Sequence, residues 1–161
     1  MNDEPLRVLI VEDEAVLVMQ LEMLVEDRGH VVVGTAYSAS EAIALARATR
    51  PDLAFVDLQL QGRSSGIDVA RAIRDMEGVT IVFVTANAAA LADDFEGGAA
   101  VIAKPFSVAL MRNSLPYIEQ CVRQPPPKLD LPLGMRLAPA YLAHLESLRA
   151  GTTISAVTKA L

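Results

Sequence analysis

Val8-Leu9-Ile10-Val11-Glu12-Asp13 is an apolar run that stops on two acids. The pattern recurs three times. Leu53-Ala54-Phe55-Val56 runs into Asp57, Ile81-Val82-Phe83-Val84 into Thr85, and Ala99-Ala100-Val101-Ile102-Ala103 into Lys104-Pro105. Short continuous apolar runs are the mark of strands buried on both faces of a parallel sheet. Parallel strands would bring the residues that end them to one carboxyl edge, where open α/β sheets bind ligands. That edge would hold three carboxylates, a hydroxyl and an ammonium. Such a cleft suits a divalent cation and a phosphoryl group.

Helical and strand patterns alternate outward from these runs. Val16, Leu17, Met19, Leu21, Met23, Leu24 and Val25 recur at roughly helical spacing, and Gly29 is a stop signal. Val31-Val32-Val33 is a β-branched run ending at Gly34. Ser38-Ala39-Ser40-Glu41 has the form of a capping box, and Arg50-Pro51 closes the helix behind it. Gln61 to Gly66 is a polar loop. Ile67, Val69, Ala70 and Ile73 then fit one helix face, with an end near Glu77-Gly78. Ala88 to Ala92 reads as a short helix. The last helix of this series spans about Val108 to Arg123, with Pro116 expected to kink or interrupt it. Five βα units imply an α/β fold with a five-stranded parallel sheet and helices on both faces. The flavodoxin-like order 2-1-3-4-5 is the natural choice, with the end of strand one at the switch point.

Three segments follow: residues 1–123 as the α/β domain, 124–139 as a proline-rich linker and 140–161 as a short helical tail. Gln124-Pro125-Pro126-Pro127-Lys128 reads as a semi-rigid spacer. Leu129 to Pro139, with Pro132 and Gly134, reads as irregular. Tyr141, Leu142, Leu145 and Leu148 form an apolar stripe that ends at Gly151. The stripe is too short for a stable isolated helix. It is expected to pack on the domain face around Ala88–Ala92 and strand five, or on a second copy in a homodimer.

Composition limits the partners. The formal net charge is -6, against counterion-driven binding of nucleic acid. No apolar stretch approaches a membrane span. The acidic Met-Asn-Asp-Glu-Pro start is unlike a signal peptide, so a cytoplasmic location is expected. Cys121 is the single cysteine and reads as a partly buried helix residue. His30 and His144 read as solvated surface residues away from the carboxyl edge.

Any one of these acids alone is commonly a turn or helix cap. The ordered set is more specific. Glu12-Asp13, Asp57, Thr85 and Lys104-Pro105 together resemble the receiver domain of bacterial two-component response regulators, over roughly residues 6 to 123. The resemblance implies that Asp57 accepts a phosphoryl group from a histidine kinase or phosphotransfer protein. It implies Mg²⁺ held by Asp13, Asp57 and the backbone carbonyl of Gln59, with Glu12 acting through water. It gives Lys104 and Thr85 contacts to the phosphoryl oxygens, and it implies a cis Lys104-Pro105 bond. Asp57 must be ionised to act as a nucleophile. Crowded carboxylates raise each other's pKa, and a hard cation relieves that repulsion.

The match has departures. Val101 stands where receivers often carry a switch aromatic three residues before the lysine. Phe83 and Thr85 weakly resemble a receiver subclass with a Phe-Ala-Thr-Gly pattern at the end of strand four. Gln59 and Asn87 occupy the positions that tune dephosphorylation, and neither is an obvious general base. A haloacid-dehalogenase-like phosphatase would need a second Asp where Gln59 stands. The acidic loop after strand one is no glycine-rich nucleotide cradle. An unphosphorylated scaffold is disfavoured, since like charges without a function cost stability. About 40 residues follow the domain, with four basic residues and no helix-turn-helix pattern. Output through a downstream protein partner is therefore expected.

Overall fold

Alternation along β1 (Arg7–Val11) organises the core. Val8 and Ile10 point to one face of the sheet, Leu9 and Val11 to the other, and all four are buried. The computed structural model describes residues 4–159, with side chains to residue 151. It continues through α1 (Ala15–Asp27), β2 (Val31–Ala36), α2 (Ala39–Thr49), β3 (Leu53–Val56), α3 (Gly66–Ile73), β4 (Thr80–Thr85), β5 (Ala100–Ala103), α4 (Val108–Arg123), β6 (Met135–Leu137) and α5 (Pro139–Lys159).

The sheet order is β2-β1-β3-β4-β5-β6. The first five strands are parallel in the expected order 2-1-3-4-5. On one face Ile10, Phe55 and Val82 pack with Leu21 and Leu24 of α1 and with Met111, Leu115 and Ile118 of α4. On the other, Leu9, Val56 and Phe83 pack with Ala42 and Ala46 of α2 and Val69 and Ile73 of α3. Full burial of side chains such as Leu9, Phe55 and Ile73 stabilises the fold by about 1.5–3 kcal/mol each.

Five expectations are corrected. The sheet has six strands, not five, because Met135–Leu137 inside the supposedly irregular linker pairs antiparallel with β5. Its alternating buried, exposed, buried pattern fits the open β5 edge, whose unpaired backbone groups it covers. Ala88–Ala92 gives only a three-residue 3₁₀ turn, Ala88–Ala90, with no side-chain cap at Asn87. A segment that short does not meet the cost of helix nucleation. The helix carrying Pro116 runs unbroken from Val108 to Arg123. Gly151 does not stop α5, which continues to Lys159. His30 is buried rather than solvated: its Nδ1 accepts the Leu6 N–H at 3.2 Å, and its Nε2 lies 3.4 Å from Glu119 on α4. His144 is exposed and Cys121 buried.

The tail stripe packs on the chain's own domain. Leu145 is 1% exposed among the residues of α4, and Tyr141 touches both core clusters. Arg136 of β6 sits over the Phe95 ring, 5.1 Å from its centroid.

Candidate functional site

The carboxyl ends of β1, β3, β4 and β5 place Glu12, Asp57, Thr85 and Lys104 along one sheet edge. Backbone pairing continues past the strands there. Asp57 N–H donates to the Val11 carbonyl and Lys104 N–H to the Thr85 carbonyl, both at 2.9 Å. Each functional side chain is therefore held by the strand beside it rather than by a free loop.

Lys104 is the centre of the site. Its ammonium lies 2.7 Å from Glu12 Oε2, 2.8 Å from Asp57 Oδ2 and 3.4 Å from Glu14 Oε1. Burial pulls the lysine pKa down, but hydrogen bonds and charges from Asp57 and Glu12 outweigh that, and the group stays above its ordinary value. Glu12 is 2% exposed. Burial pushes its carboxyl above the usual range, and Lys104 offsets this only in part. The two partners thus shift the same way, which follows if desolvation of Glu12 costs more than one shared ammonium returns.

Glu12, Asp13 and Asp57 each offer a carboxylate oxygen, and these oxygens converge within 4.8 Å of one another. Lys104 pairs with Glu12 and Asp57, whereas Asp13 is half-buried at the open side. Three hard oxygen donors around one point fit a divalent cation such as Mg²⁺, which keeps waters for its remaining positions.

The loops around these residues are shaped by local bonds. Gln59 N–H donates to Asp57 Oδ1 at 3.2 Å, and Asn87 N–H to Thr85 Oγ1 at 3.1 Å. The Lys104-Pro105 peptide is cis, as the resemblance implied. Two contributors were not singled out from sequence. Gly66, the first residue of α3, sits so close to the Asp57 backbone that a Cβ would lie 2.0 Å from the Asp57 carbonyl oxygen. Glu14, the N-cap of α1, reaches Lys104. The acidity of Glu12-Asp13-Glu14 was the only sequence signal for Glu14. For Gly66 there was none beyond its place in a polar loop.

Residues 8–115 match the response regulator receiver domain family, and that span is more than half of the chain. The chain belongs to this family. The receiver is 38% identical over 109 residues to the phyllosphere-induced regulator PhyR of Methylorubrum extorquens, covering 66% of this chain and 41% of PhyR. It is 37% identical over 122 residues to the transcriptional regulatory protein PdtaR of Mycobacterium tuberculosis, covering 73% of this chain and 57% of PdtaR. The solution structure of the PhyR receiver domain from Erythrobacter litoralis superposes with a TM-score of 0.63 at 30% identity, over 75% of this chain and 95% of that one. The chain spans about half the length of the curated relatives it matches. Receivers are phospho-accepting regulatory domains of two-component signalling, and this chain is one of them. Among the described residues no helix is long and apolar enough to cross a membrane.

Proposed function

We propose that Asp57 is the phospho-acceptor of this receiver, charged by a histidine kinase or a phosphotransfer protein in the presence of Mg²⁺. The observation that carries this reading is Asp57 itself. It is 4% exposed at a strand end, bonded to Lys104 and within 4.8 Å of two further acids.

In the step, an Asp57 oxygen attacks phosphorus, the P–N bond to the donor imidazole breaks, and its electron pair returns to the ring nitrogen. A bound Mg²⁺ would supply charge neutralisation for the crowded carboxylates and the phosphoryl oxygens. Asp13, Asp57 and the Gln59 carbonyl would hold it, with Glu12 acting through water. Lys104 exchanges its bond to Asp57 for one to a phosphoryl oxygen, and Thr85 donates its hydroxyl to another. Both are contacts made as charge redistributes, so they favour transfer over substrate binding alone. Neither Gln59 nor Asn87 offers a general base to speed hydrolysis. The protein catalyses only its own phosphorylation and dephosphorylation. It signals through contacts with a downstream protein.

The test uses the full chain, acetyl phosphate and Mg²⁺. One acid-stable, base-labile phosphate is expected per chain, lost in Asp57→Asn. Undiminished labelling of that variant would refute the assignment.

A further inference from the structure

Glu14 is the one acid of the cleft that neither acceptor nor metal-ligand roles use. Its backbone N–H donates to Glu12 Oε1 at 3.0 Å, which fixes the entry to α1. Its carboxylate then stands 3.4 Å from Lys104 Nζ. The Lys104 side chain is 9% exposed and that of Asp57 5%, whereas the Glu14 side chain is 64% exposed. Glu14 therefore lies at the mouth, on the solvent side of the lysine. An ammonium has three N–H donors, and here three carboxylates face them: Glu12, Asp57 and Glu14.

A phosphodonor entering this cleft meets two obstacles at Glu14. The donor's own negative charge must pass a solvent-facing carboxylate that Lys104, shared with Glu12 and Asp57, neutralises only in part. Its phosphoryl oxygen must also take up a lysine that Glu14 continues to hold. A cation on the inner acids relieves neither obstacle directly, since Glu14 is outside the set whose oxygens converge within 4.8 Å. A small free donor has no other contacts to offset this. A donor histidine carried on a protein spreads the same local penalty over a docking surface elsewhere on the rim.

We propose that Glu14 is a specificity-determining residue of phosphotransfer, whose charge at the mouth discriminates against small free anionic phosphodonors in favour of phosphoryl groups delivered by a docked protein. The inference rests on Asp57 being the acceptor. It acts on donor binding, so its signature is a change in half-saturation rather than in maximal rate.

The experiment follows Asp57 phosphorylation of the full chain by intact mass at saturating Mg²⁺, with acetyl phosphate varied. Glu14→Gln should lower the half-saturating concentration about two- to fivefold, the range of one exposed charge pair, with the maximal rate unchanged. Glu14→Lys should lower it further. Phosphoramidate, whose protonated nitrogen reduces its net charge, should respond less than acetyl phosphate. Glu26→Gln removes the same charge twelve residues along α1, about 18 Å away, and should change nothing. An unchanged half-saturation in Glu14→Gln, an equal gain in Glu26→Gln, or an effect confined to the maximal rate would each overturn the proposal. Failure of the underlying reading shows separately, as a phosphate that persists in Asp57→Asn.

Discussion

A Cβ on Gly66 would sit 2.0 Å from the Asp57 carbonyl oxygen and 2.9 Å from Val56 Cγ1. Both neighbours belong to the strand end that aims the Asp57 side chain, so neither yields without moving Asp57. At this first helical position Gly66→Ala gains less than the ~1 kcal/mol of helix propensity of a helix interior. The overlap costs about 1–3 kcal/mol, and Asp57, the proposed acceptor, is displaced as well. Net destabilisation in urea and slower phosphorylation by acetyl phosphate are expected together; a stabilised variant with normal labelling would contradict the contact.

His30 is a second single-residue case. Burial holds its imidazole below the ordinary value of 6.5, and Arg123 and Arg28 act in the same direction while Glu119 opposes them. Its Nδ1 already accepts the Leu6 N–H, so protonation there would break that bond. The unfolded chain binds the proton more readily, so stability is full above pH 6.5 and falls as pH drops below it. Glu119, held below the usual carboxylate range, adds a loss only below pH 4.5. Glu12, shifted upward, acts in the opposite sense as pH rises past 4.5. A difference curve between wild type and His30→Gln cancels the Glu12 contribution, and Glu119, whose shift His30 helps to set, enters only below pH 4.5. Thermal midpoints of the two proteins should converge as pH falls from 7 through 6; parallel curves would remove His30 as the cause.

Among the elements, β6 and α5 were the least legible. The ends of β1, β3, β4 and β5 could be read locally, because an apolar run and its terminal polar residue sit side by side in the chain. Lys104 and Asp57 therefore stood out before any contact between them was known. Met135-Arg136-Leu137 carries no such signal: three residues between Gly134 and Pro139 become a strand only because β5 leaves an edge open. His30 escaped for the same reason, since its partners Leu6 and Glu119 come from other elements. Misreading Ala88–Ala92 was the reverse error, in which good local propensity lacked the length and cap to form a helix. The docked tail has a measurable consequence. Leu145 is 1% exposed and Leu142 is 42% exposed on the same helix. Leu145→Ala should cost about 2–5 kcal/mol in urea unfolding, whereas Leu142→Ala should stay within about 0.5 kcal/mol. Equal small effects would mean that α5 contributes nothing to the cooperative unit.

At the scale of the whole molecule, the fold concentrates negative charge where the sheet ends. Four acids, Glu12, Asp13, Glu14 and Asp57, gather around one ammonium, which pairs with Glu12, Glu14 and Asp57 but not with Asp13. Like charges so arranged oppose folding until a cation joins them. If the proposed Mg²⁺ site is right, the empty receiver is less stable than its core would allow and regains that stability on binding the metal. A ligand that binds only the folded state adds about 2.7 kcal/mol at one hundred times its dissociation constant. Asp13→Asn separates the two contributions. It removes the acid with no share of Lys104, so metal-free stability should rise. It also removes a proposed direct ligand, so the gain on adding Mg²⁺ should shrink or vanish. Glu12→Gln instead strips Lys104 of its closest partner and leaves a buried amide. It should lower metal-free stability while keeping more of the Mg²⁺ response. Thermal midpoints with and without saturating Mg²⁺ test the pair. If Asp13→Asn is destabilised without metal, or if Glu12→Gln loses more of the Mg²⁺ gain, the division between Asp13 as direct ligand and Glu12 as lysine partner is wrong.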